Sequence, residues 1–211
     1  NLNSVINTSS ANGTVTGDSY VGGLVGANGV EGQSGSTITN ASASGTVSVP
    51  DDTANTEYVG GLVGQLYLGN ITRSSASVTV DAPDATHVGG LVGYADGTER
   101  TRVQTIRESY ATGDVTGNES VGGLVGTTRN ETVVHSYAVG NVTGDTAVGG
   151  LVGTHTGANA NVTEVYAAGT VSEGTDTGGL IGTTQSSPTV ESAYWDTQTT
   201  AHSSSVAGTT G

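Results

Sequence analysis

The hexapeptide Val121-Gly122-Gly123-Leu124-Val125-Gly126 begins again at Val21, Val59, Val88 and Val148, and a variant, Thr-Gly-Gly-Leu-Ile-Gly, begins at Thr177. Six copies make a repeat, and what lies around them gives its size. Upstream of each copy an Ile or Val is followed by Ala five residues on, usually Gly at seven and Val at nine. Ile6, Ala11, Gly13 and Val15 show the pattern first, and it returns at Ile38–Val47, Ile106–Val115, Val133–Val142 and Val162–Val171. Ile71–Val80 keeps the spacing with Val78 in place of the Gly.

The spacing of the three apolar markers describes a cross-section. Nine residues separate Val15 from Leu24, Val115 from Leu124, Leu124 from Val133 and Val142 from Leu151. The shortest complete turn, Leu124 to Leu151, is 27 residues in three equal parts. Three equal sides with one short strand each predict an all-β, single-domain parallel β-helix of triangular section, a β-solenoid of six to seven coils, expected to be right-handed. The coils begin near Ile6, Ile38, Ile71, Ile106, Val133 and Val162, with a terminal partial coil from Val190, and residues 1–211 are read as one domain. Insertions fall only at two corners, where a loop can lengthen without disturbing a stacked core.

Ala, Gly and Val alternate with polar residues such as Thr14 and Thr16, so the small apolar set is expected to face inward and the core to be narrow. The Gly-Gly before each Leu breaks the alternation, which suits a bend or a close approach of backbone.

Composition bounds the function. With 19 acidic residues against five Arg and no Lys, the formal charge is −14, which excludes nucleic acid and anionic membranes as partners. Such a charge repels itself in dilute buffer and is screened at molar salt, so the composition points to a salt-loving source. No apolar run is long enough to span a membrane, and direct membrane insertion is not expected.

The residues resemble the GLUG-motif repeats of secreted bacterial and archaeal surface proteins, through the Gly-Leu-hydrophobic-Gly core of each hexapeptide and through the closing Ser192-Ala193-Tyr194-Trp195-Asp196-Thr197. The resemblance implies an extracellular adhesive or structural array of haloarchaeal type and brings no catalytic residues. The expected function is therefore a structural subunit of an extracellular filament or adhesin, not an enzyme, associating with itself head to tail. The alternative is a carbohydrate-binding or carbohydrate-cleaving β-helix of the viral fibre or lyase type, with surface glycans as partners.

Candidate sites are few. His87, His135, His155 and His202 follow no metal-ligand spacing and read as surface histidines. Asp51, Asp52 and Glu57 occupy the same expanded corner as Asp81 and Asp84 one coil later. Calcium needs six to eight oxygens, so Asp51, Asp52, Asp81 and Asp84 form a calcium candidate set against the simpler reading of a solvated acidic loop; no other cofactor is expected. Tyr110, Tyr137, Tyr166 and Tyr194 share one position of successive coils and should point outward, as ligand or fibre contacts or, in the preferred reading, as packing over a strand corner. Tyr20, Tyr58 and His87 form a second file. Eight sequons, at Asn7, Asn12, Asn40, Asn70, Asn118, Asn130, Asn141 and Asn161, predict N-glycosylation.

Overall fold

In a computed structural model the chain is described over residues 5–29, 36–50, 56–97, 104–157, 160–172, 174–185 and 189–205. Every strand pairing in it is parallel and joins equivalent residues of successive coils, as in Ile38↔Ile71, Ile71↔Ile106 and Ile106↔Val133. The strands form one 14-stranded sheet and two 6-stranded sheets, giving a three-sided β-solenoid of about six turns. The second sheet runs from Val21–Gly22 through Glu57–Gly60, Thr86–Gly89, Glu119–Gly122 and Thr146–Gly149 to Thr175–Gly178. The third runs from Val25–Asn28 through Val63–Tyr67, Val92–Asp96, Val125–Arg129 and Val152–Thr156 to Ile181–Thr184.

Stacking buries what one coil cannot. The Leu of the hexapeptide is linked to its counterpart by backbone hydrogen bonds of 2.8–3.0 Å at every step from Leu24 to Leu180, and Leu62, Leu91, Leu124, Leu151 and Leu180 are fully buried. At roughly 1.5–3 kcal/mol for each fully buried aliphatic side chain, these columns are the main source of stability.

The glycines explain how thin the core is. A Cβ on Gly123 would lie 2.2 Å from the carbonyl oxygen of Gly150 and 3.0 Å from Cβ of Ala138 on the opposing sheet. The second Gly of the hexapeptide thus lets the Ala column close across the core. In the last coil Trp195 takes the place of that Ala, in register with Ala167, and its ring lies against Gly179. It is buried, and its indole Nε1 donates to the carbonyl of His202 at 2.8 Å.

The chain bends at the second Gly and the Leu of each hexapeptide, as its Gly-Gly suggested, and the corners add a feature that was not expected. Each coil turns at non-glycine residues in left-handed conformation. Tyr20, Tyr58, His87, Ser120, Ala147 and Asp176 hold φ between 54° and 62° just before the hexapeptide, and Asn40, Arg73, Glu108, His135 and Glu164 hold φ between 46° and 52° just after the Ile/Val marker. The long side therefore bends into two segments, such as Thr37–Thr39 and Ser42–Ser48, where one strand per side was expected.

Candidate functional site

Beneath the bend on the first sheet lies a ladder of buried serines that sequence reading missed. Ser74 Oγ donates to the Thr72 carbonyl at 3.0 Å and accepts from the Ala41 amide at 3.1 Å. Ser109 and Ser136 repeat both bonds one coil apart. The signal was present as the recurring Ser-Ser-Ala or Ser-Tyr-Ala at residues 9–11, 74–76, 109–111 and 136–138. Backbone groups that the left-handed turn takes out of the ladder are satisfied by this column.

Above it the tyrosines stand in register, Ser75↔Tyr110↔Tyr137↔Tyr166↔Tyr194. Tyr110 and Tyr137 stack with centroids 4.9 Å apart and planes within 2°. Tyr137, Tyr166 and Tyr194 are 39%, 41% and 58% exposed and Tyr110 is half-buried, so the file points outward. His135 Nε2 lies 2.5 Å from Glu164 Oε2 beside it.

A second aromatic group sits at the bend between the second and third sheets. Tyr58 lies 5.1 Å from Tyr20, 5.3 Å from His87 and 5.0 Å from Tyr94, a partner the sequence had not placed there. Burial, with Glu57 beside it, raises the Tyr58 hydroxyl to about 12. Burial lowers the pKa of His87 against the opposing pull of Glu57 and Glu119, and its Nδ1 lies 2.8 Å from Thr127 Oγ1.

The interior at the third bend mixes apolar and polar residues. Asn28, Leu66, Ala95, Thr128 and His155 succeed one another in register and are all fully buried. His155 is therefore not a surface residue. It follows the hexapeptide Leu by four places, as Leu66, Ala95 and Thr128 do, and its Nδ1 bonds Thr128 Oγ1. Burial lowers its pKa, which keeps the ring neutral. Glu131, in register with Gln104, is fully buried, and among the described residues neither its carboxylate oxygens nor Gln104 Oε1 has a hydrogen-bond partner. Burial, and then the nearby Asp96, push the Glu131 carboxyl well above the usual range. The site favours its protonated form, and no sequence signal marked it.

Of the calcium candidates, Asp51 and Asp52 lie outside the described residues. Asp81 and Asp84 are exposed on either side of Pro83, and Glu57 pairs in register with Thr86. Among the described residues no three His, Asp or Glu side chains gather in a metal-binding group. Of the sequon residues, Asn7, Asn12, Asn40 and Asn141 are exposed, while Asn70, Asn118, Asn130 and Asn161 are half-buried. Several are engaged already: Asn141 Oδ1 accepts from the Thr170 amide at 3.0 Å, and Asn40 Oδ1 accepts from Arg73 Nε at 3.0 Å.

The architecture defines a repeat protein whose unit is one coil. The family model described as the GLUG motif matches residues 17–48, 55–81 and 84–116, and the register continues the same unit through the later coils. Over those residues the chain carries GLUG-motif repeats. It is similar to halomucin of Haloquadratum walsbyi (strain DSM 16790 / HBSQ001), with 41% identity over 96 residues that make up 44% of this chain and 1% of halomucin. The chain thus spans a very small part of that relative's length. No solved structure matches.

Proposed function

We propose that this chain is a non-enzymatic structural array of an extracellular, halophilic surface layer or filament, and that its coils extend end to end onto further β-solenoid. The observation that carries the reading is the register itself, in which equivalent residues of successive coils pair in parallel ladders on all three sides and the buried columns form only by stacking. A unit that buries its apolar set against the next copy of itself favours another coil as its partner. The acidic composition and the halomucin relative support a high-salt, extracellular setting. At about 4.8 Å per coil, six coils rise only ~30 Å, so length has to come from repetition.

Negative-stain electron microscopy at high and low salt tests the reading. Thin filaments repeating at about one subunit's height, lost in Leu24→Asp, are expected. Discrete particles at every salt concentration would sink end-to-end assembly.

A further inference from the structure

Two neighbouring columns change size half-way along the solenoid. Before the hexapeptide, successive coils carry Tyr20, Tyr58, His87, Ser120, Ala147 and Asp176. Across the bend, on the third sheet, Gln65, Tyr94, Thr127, Thr154 and Thr183 stand in register. Rings fill the bend in the second and third coils, where Tyr58, His87 and Tyr94 lie within 5.0–5.3 Å of one another. From the fourth coil no ring follows, the columns carrying Ser120, Ala147 and Asp176 beside Thr127, Thr154 and Thr183, while the strand register continues unchanged. The space left over is an open-sided groove of about 610 Å³ along the axis, within the range of small-ligand sites.

Its lining has a definite chemistry. The rings of His87 and Tyr94 close one end. The floor is hydroxylic: Ser120 Oγ and Thr154 Oγ1 are 2.8 Å apart, and Thr127 Oγ1 holds His87. Exposed carboxylates of Glu119 and Asp176 stand on the second-sheet side, and Arg129 and Gln185 on the third-sheet side. A sugar chain offers what this lining can use, namely dense hydroxyls for paired acceptors and donors and a C–H face for an aromatic wall. A peptide strand would need a free sheet edge, but the groove crosses sheet faces whose backbone groups are already in the ladder. An anionic polymer would meet two carboxylates on a chain of charge −14.

We propose that this groove binds a short neutral or N-acetylated oligosaccharide lying along the solenoid axis, one terminal ring against His87 and Tyr94 and its hydroxyls held by Glu119, Asp176 and Arg129. The site is independent of the solenoid ends, so it can fail while end-to-end assembly stands, and the reverse.

The test is titration calorimetry and saturation-transfer NMR on the intact chain in concentrated NaCl, with cellotetraose, mannotetraose and chitotetraose as probes. At least one is expected to bind with Kd below about 1 mM. Ala147→Tyr places at that position the ring that Tyr58 supplies three coils earlier, and the backbone conformation suits it, with φ 62° at Tyr58 and 54° at Ala147. It should fill the groove and weaken binding at least tenfold with the melting temperature unchanged, and Tyr94→Ala should weaken it as well. Three silent probes, binding indifferent to Ala147→Tyr, or binding lost instead in Tyr137→Ala on the first sheet would each overturn the assignment.

Discussion

Replacing Gly123 by Ala adds one methyl group at the centre of the solenoid. The added Cβ would fall 2.2 Å from the Gly150 carbonyl oxygen, so that oxygen has to retreat by about 1 Å to reach ordinary contact. It has no slack in which to do so. Gly123 is tied to the next coil by its own amide, which donates to Gly149 at 3.2 Å, and Ala138 Cβ closes the other side at 3.0 Å. Overpacking against flexible side chains costs about 1–3 kcal/mol, and here the neighbour is backbone, so about 3 kcal/mol or more is expected. For a chain of this size that lowers Tm by roughly 6–12 °C. Thermal unfolding followed by circular dichroism checks it, beside Val139→Ala, whose side chain is 41% exposed and whose loss should stay within about 0.5 kcal/mol. A Gly123→Ala protein melting within about 2 °C of the parent would refute the account of the narrow core.

Glu131 gives a pH prediction of definite sign. Its folded carboxyl keeps a proton that the unfolded chain releases above about pH 4.3, so its contribution to stability falls as pH rises, by up to about 1.4 kcal/mol per unit, until the raised folded value is reached. Glu131→Gln should remove that slope and be the more stable protein near neutrality; denaturant titrations from pH 4 to 8 that ran parallel for the two would contradict it. Salt should act through the net charge of −14, because the Debye length falls from about 10 Å at 0.1 M to about 3 Å at 1 M. A triple variant of exposed carboxylates, Asp81→Asn, Asp84→Asn and Glu191→Gln, is expected to show a shallower rise of Tm with NaCl, and an unchanged rise would locate the salt effect elsewhere.

The three-sided coil was legible because its markers are apolar and buried at a fixed spacing, and burial allows few substitutes at Ile38, Val47 or Leu62. The left-handed corners were not legible. A Tyr, His or Asp at positive φ costs about 1–2 kcal/mol and carries no signature of its own; here the parallel ladders on both sides of Tyr58 or His87 impose it. His155 could have been placed from the register alone, four residues past Leu151, had position been weighed above residue type. The groove was hidden for another reason: its walls are single exposed residues from different coils, each unremarkable by itself, and only the side-by-side columns reveal the step from rings to hydroxyls. Glu131 lay inside a sequon and read as part of it.

The in-register stacking also gives the surface a coordinate system. Any outward residue has an address, its column around the coil and its row along the axis, and rows are about 4.8 Å apart. Because loops grow only at corners and the core columns hold the spacing, one address can be rewritten while its neighbours keep theirs. Adding a coil adds one row without rescaling the others. A partner that reads two rows therefore meets separations in whole multiples of that spacing, and the solenoid serves as a ruler with interchangeable marks.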